Sequence, residues 1–225
     1  KLMDVEKGVI KKSIKIDGTL DKIFELQEKL VFSLMTQNKK EESAANRLSL
    51  ITDAERKSIE NKRRPKIGAY ELYSKGISVQ DENPKEALGL FRQAILLDDM
   101  YVDPLVEAGF TAGNILNNYA EALNYYKKAD EILIKHNEIK SIKYACLLNN
   151  IGCIYEITGE LDGAFNYYIK AKTIRNDLGL QKSAGSAGIL SNIGNIYSRK
   201  RQFDSAIEYY IQAKVIYDGD RKSVV

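Results

Sequence analysis

Residues 148–172 read LNNIGCIYEITGELDGAFNYYIKAK, and residues 190–214 read LSNIGNIYSRKRQFDSAIEYYIQAK. In the first stretch Leu148, Ile151, Gly152 and Tyr155 recur at spacings of three and four, which is helical periodicity. Thr158 and Gly159 break the pattern, and it resumes at Leu161, Ala164, Phe165, Tyr168 and Ala171. The stretch therefore predicts a helix, a short turn and a second helix. The second copy repeats each part: Leu190, Ile193, Gly194 and Tyr197, a turn at RKRQ, then Phe203, Ala206, Tyr210 and Ala213. Gly152 and Gly194 are 42 residues apart, as are Ala164 and Ala206. A mid-helix glycine costs about 1 kcal/mol against alanine. The expected compensation is close approach of the paired helix, with Ala164 and Ala171 on the other side of that contact.

Two weaker copies lie upstream. Ala122, Tyr126 and Ala129 precede Ala164, Tyr168 and Ala171 by the same 42 residues. Their first helix would be PLVEAGFTAGNIL, ending in a turn near Asn117 and Asn118. Gly109 stands one residue from its expected place, which Phe110 occupies. Ala87, Phe91 and Ala94 form the earliest copy, with AYELYSKGISVQ as first helix. From Gly76 to Ala87 is eleven residues, where the last two copies have twelve.

This pattern resembles the tetratricopeptide repeat, a helix-turn-helix unit that stacks into a superhelix. The resemblance implies an all-α fold over residues 68–220, with about four stacked helix pairs. A single pair cannot bury its apolar face, whereas a stack makes a continuous core. No polar capping helix follows Ala213. The expectation is that the parent protein continues or that a partner covers the last pair.

The first residues have another character. VIKKSIKIDG places Ile10, Ile14 and Ile16 on one face and predicts a short strand between Gly8 and Gly18. TLDKIFELQEKLVFSLMTQ carries an apolar stripe of Leu20, Ile23, Phe24, Leu30, Val31 and Leu34, an amphipathic helix. Thr52 and Glu55 have the spacing of a capping box. One strand and one helix make no core, so residues 1–40 are expected to be the C-terminal remnant of another domain, joined by a helical linker at 41–67. Asp4 to Gly8, Ile14 to Gly18, and Leu20 to Leu34 with its Leu26-Gln27 pair resemble the end of the TolB-like amino-terminal domain, related to the curli-secretion protein and the flagellar FlgO group. Ile51 to Glu55 and AYELYSKG from Ala69 continue that likeness. It implies a bacterial parent in the envelope or periplasm, or attached to a signalling protein, with the cytoplasm as the second expectation. The chain does not begin with Met, which also suggests a piece of something longer. Phe24, Leu30 and Val31 are the residues expected to serve self-association.

Composition bounds the chemistry. The 225 residues carry a formal net charge of +3, with 29% charged and 44% hydrophobic residues. That balance gives no reason to expect a nucleic-acid partner. No window of 18 apolar residues exists, so no membrane span is expected. His136 is the single histidine. No metalloprotease, nucleophile-elbow or phosphate-loop motif occurs, so neither catalysis nor a metal or other cofactor is expected. Cys146 and Cys153 lie seven apart on one helix, about 10 Å along its axis, too far for a disulfide. They read as buried apolar thiols. Asp98 and Asp99 read as a solvated pair at a helix end. The basic runs SRKRQ and NKRRPK read as solvated surface.

What remains is a surface. First helices of stacked pairs line a groove, and the polar residues facing it would be Asn149, Asn150, Glu156, Ser191, Asn192, Asn195 and Arg199. Asparagine inside a helix is unfavourable, and Asn150 and Asn192 are one period apart. Such amides could hold an extended peptide, or could bond to the next repeat and set its angle. The expected partner is a protein or peptide, with a self-associating scaffold, a homodimer, as the alternative.

Overall fold

The computed structural model describes residues 64–222, together with the backbone of two short strands, β1 (Leu2–Asp4) and β2 (Val9–Lys12). The strands pair antiparallel, Leu2 with Lys12, Met3 with Ile10 and Asp4 with Val9. The register shift between Leu2 and Met3 leaves Lys11 as the extra residue of a bulge. The short strand expected between Gly8 and Gly18 begins as one arm of a hairpin, and it is described only to Lys12. The helix at Leu20–Leu34, with Phe24, Leu30 and Val31, lies outside the described residues, as does the linker up to residue 63. Residues 1–67 and 68–225 form separate compact units.

The second unit is four helix pairs. They are α1 (Ile67–Val79) with α2 (Pro84–Leu97), α3 (Val102–Phe110) with α4 (Tyr119–Lys135), α5 (Ile142–Ile157) with α6 (Leu161–Asp177), and α7 (Ala184–Arg199) with α8 (Phe203–Lys222). Each second helix from α2 to α6 also packs on the first helix of the following pair. One cluster of buried residues runs from Ala87 to Ile154 through three pairs, and another from Leu148 to Ile196 joins the last two. The expected all-α stack is what the chain forms.

Local signals set the boundaries. Asn83 and Asn118 cap α2 and α4, each accepting from the backbone N–H three residues on. Pro84 takes the first position of α2. The turns after α5 and α7 close on residues of positive φ, Gly159 at 90° and Arg201 at 61°. Asn117, at 57°, does the same after α3, where the sequence predicted a turn.

The repeat glycines make room for rings, not for alanines. A Cβ on Gly152 would lie 2.6 Å from Cε1 of Tyr168, and one on Gly194 would lie 2.6 Å from Cε1 of Tyr210. Gly109 faces Tyr126 and Gly76 faces Phe91 in the same way, at 2.4 Å each. The contact expected between Gly152 and Ala164 or Ala171 is therefore corrected. Those alanines are fully buried, but the mid-helix glycine holds an aromatic ring.

The one-residue offset at Gly109 has a local cause. From the cap residues Asn83, Asn118, Glu160 and Gln202 to the aromatic that follows is always eight residues. All variation lies before the cap. Between Gly109 and Asn118 the helix widens into a π-turn, Thr111–Ile115, with Leu116 N donating to Thr111 O at 3.0 Å. A π-turn absorbs one extra residue, so Gly109 still meets its ring.

Two polar expectations are also corrected. Asp98 is 1% exposed, not solvated. It ends α2 and its Oδ1 accepts from Met100 N at 3.3 Å, ordering the turn into α3. Cys146 is exposed and Cys153 is half-buried, so the pair is not a buried apolar couple. Position 146 lies on the side of α5 away from its core residues Leu147, Leu148, Ile151 and Ile154.

Candidate functional site

The residues expected to line the groove sit on α5 and α7, and most of them bond to a neighbour. Asn192 Nδ2 donates to Asn149 Oδ1 at 3.1 Å, linking first helices of successive pairs. The same Nδ2 lies 3.8 Å from Cys153 Sγ, and Asn149 Nδ2 lies 4.0 Å from it. Two amides and a thiol thus form one bridge. Burial pushes the Cys153 thiol up, which keeps it protonated and suited to a hydrogen-bonding role.

Arg199 extends the bridge at the far end of α7. Its Nη1 donates to the Glu156 carbonyl oxygen, which also accepts from Gly159 N at 3.1 Å. Glu156 itself turns inward: its Oε2 accepts from the Tyr168 hydroxyl at 2.8 Å. Burial raises the Tyr168 phenol strongly, so it stays a donor. Asn195 Oδ1 accepts from the Tyr210 hydroxyl at 2.8 Å, the same device one pair later. Ser191 Oγ donates to the Ala187 carbonyl of its own helix at 3.1 Å. Asn150 is half-buried and carries no side-chain hydrogen bond among the described residues. Periodicity pairs Asn150 with Asn192; the structure pairs Asn149 with Asn192.

Sequence reasoning missed a second polar group on the earlier pairs. Gln80 Nε2 donates to Thr111 Oγ1 at 2.9 Å and to Glu107 Oε2 at 3.2 Å. Thr111 is fully buried, and its hydroxyl donates to the Glu107 carbonyl at 2.8 Å. Burial, which outweighs the Gln80 bond, pushes the Glu107 carboxyl up. A usable signal was the run of polar residues four apart on α3, Asp103, Glu107 and Thr111, inside an otherwise apolar helix. Second helices are linked as well. Arg92 Nη2 meets Glu121 Oε1 at 2.6 Å, and Arg92 Nε donates to the Tyr125 hydroxyl at 3.0 Å.

Chemically this surface can donate and accept hydrogen bonds from fixed positions. Among the described residues no three His, Cys, Asp or Glu side chains converge on a metal-sized site. No helix there is long and apolar enough to cross a membrane.

Comparison with known proteins agrees with this geometry. Residues 147–178 and residues 189–222 each match a sequence model described as tetratricopeptide repeat. A crystal structure of MamA is 21% identical over 68% of this chain and 81% of that one, with a TM-score of 0.54. The crystal structure of BtubC (BKLC) from P. vanneervenii is 18% identical over 90% of this chain and 82% of that one, with a TM-score of 0.64. At such identities the likeness establishes the fold. No curated protein matches the chain.

Proposed function

We propose, from the tetratricopeptide-repeat fold of residues 68–222, that this chain is a protein-interaction module that takes a protein or peptide along α5 and α7. The observation that carries the reading is the Asn149–Asn192–Cys153 bridge. It ties successive first helices together and leaves Asn150 beside it with unused hydrogen-bonding capacity. A rigid surface loses little freedom on binding, which favours affinity. We extend the proposal to a bacterial envelope-associated or periplasmic setting, or a signalling one, behind a TolB-like domain to which residues 1–40 would belong.

The test is selection of peptides from a displayed random library on the immobilised full chain, with Asn150→Ala and Asn195→Ala as counter-targets. Enrichment that these substitutions abolish, at unchanged melting temperature, supports the groove. A library that gives no enrichment on the unsubstituted chain rejects it.

A second reading, a self-associating scaffold, is favoured by one observation. The last helix exposes Phe203, Ile207, Ile211 and Val215 at 54–65%. Light scattering across a concentration series tests it, on the unsubstituted chain and on Phe24→Ser/Leu30→Ser. A monomer at every concentration removes this reading.

A further inference from the structure

An arginine without an acidic partner stands where α6 ends and α7 begins. Arg175 is 8% exposed. Its Nε donates to the Ser186 hydroxyl at 3.0 Å and its Nη2 to the Ser183 hydroxyl at 2.9 Å. Both hydroxyls reach the Leu180 carbonyl, at 2.7 and 2.6 Å. Among the described residues no carboxylate lies within ion-pair distance of this guanidinium. Gly185 permits the arrangement, since a Cβ there would lie 2.5 Å from Arg175 Nη2. The guanidinium thus rests on the first turn of α7, the positive end of that helix's dipole. Arg175 also lies in the last turn of α6, whose dipole presents its negative end there and offsets part of the charge. No full counter-charge is present among the described residues, and an anion nearby would add one.

A pocket opens beside it. It holds about 380 Å³ between α6 and α8, and Ser186 forms part of its wall. Lys172 and Lys182 line it, and none of its ten lining residues is acidic. The Lys172 ammonium sits 5.6 Å from the centre of the Tyr209 ring, which steers it. Leu190, Ile211 and Val215 supply an apolar wall, with Ile211 and Val215 57% and 65% exposed. The pocket's volume and mainly apolar lining are those of a small-ligand site, here open to solvent along α8.

We infer that this pocket binds a small amphiphilic anion. Its oxyanion head would lie between Lys172, Lys182 and the first turn of α7, and its short apolar tail along Leu190, Ile211 and Val215. The site uses none of the residues assigned to the groove on α5 and α7, and it stands or falls without it. Arg175 acts as a positioning residue that holds Ser186 and supplies positive potential from behind.

Titration calorimetry on the full chain tests this with four probes: octyl phosphate, octanoate, octanol and inorganic phosphate. Binding of octyl phosphate or octanoate is expected, and whichever binds more tightly identifies the head group. Lys172→Glu/Lys182→Glu should weaken it at least ten-fold, and Val215→Asp should weaken it separately, with the thermal melt of each variant unchanged. Octanol binding as tightly as the anions would overturn the inference, as would inorganic phosphate alone matching them. Failure of both amphiphilic anions to bind, or binding indifferent to the lysine substitutions, would overturn it too.

Discussion

Gly152 and Gly194 occupy equivalent places yet differ in what a methyl group there would do. Gly152 faces the ring of Tyr168, which is fully buried, whereas Gly194 faces Tyr210, which is 38% exposed. A buried ring has nowhere to go, and overpacking of this kind costs about 1–3 kcal/mol. Gly152→Ala is therefore expected to lower the unfolding free energy by that order, read from urea denaturation. Gly194→Ala should be near neutral, because Tyr210 can swing outward and alanine favours the helix by about 1 kcal/mol. Equal losses at both positions would refute the distinction. Glu107 carries a second residue-scale expectation. Burial raises its carboxyl, so the folded chain holds that proton more tightly than the unfolded chain. Its contribution to stability then falls as pH rises from the ordinary carboxylate range through the raised value. Melting temperatures from pH 4 to 7 should show a smaller decline with rising pH in Glu107→Gln than in the unsubstituted chain. A slope unchanged by the substitution would mean that Glu107 is not the group responsible.

Among the elements, α3 is the one that runs a residue long, and its π-turn absorbs the excess. Asn114 is exposed within that turn. Its deletion should convert the turn to regular α-helix and give Gly109 and Tyr126 the spacing that Gly152 and Tyr168 have. The expected effect on stability is within about 1 kcal/mol, since one wide turn is exchanged for a standard one. Deleting Asn124, equally exposed but inside α4, should unfold the chain. Every later residue of α4 would turn by about 100° and take Tyr126, Ala129 and Leu133 out of the core. Circular dichroism melts of the two deletions decide this, and similar losses would show that the π-turn is no more tolerant than the helix beside it. The periodic glycine, alanine and aromatic positions were legible in the sequence because they repeat. The π-turn was visible only as a misplaced glycine, since its cause is a backbone hydrogen bond rather than a residue type.

For the molecule as a whole, the fourth helix pair differs from the third. Phe165 and Ile169 on α6 are half-buried where that helix meets α7, and Phe165 packs edge-on to Tyr197 with ring centres 5.6 Å apart. Their equivalents one period later, Ile207 and Ile211 on α8, are 54% and 57% exposed. Ile207→Lys/Ile211→Lys is thus expected to leave stability within about 0.5 kcal/mol, as substitutions away from the core do. The same change at Phe165 and Ile169 should cost several kcal/mol by burying charge. Urea denaturation compares the two pairs, and a large loss in the α8 variant would mean that this face is already covered in solution. Of the groove, the sequence indicated the helix faces and the asparagines. Which asparagine bonds across the repeats was not legible, because that depends on the angle at which neighbouring helices cross.

Taken by itself, the sequence determined the all-α stack of helix pairs, the turns between them and the periodic alanine, glycine and aromatic positions. Those follow from local periodicity, caps and a period repeated along the chain. Tertiary structure alone decided that the glycines shelter rings, that Asp98 is buried and Cys146 exposed, and that Asn149 rather than Asn150 meets Asn192. It alone brought Lys172 and Lys182 to one pocket, with Arg175 behind its Ser186 wall. Each of these depends on contacts between residues on different helices, and such contacts are set by packing angles that no single helix encodes.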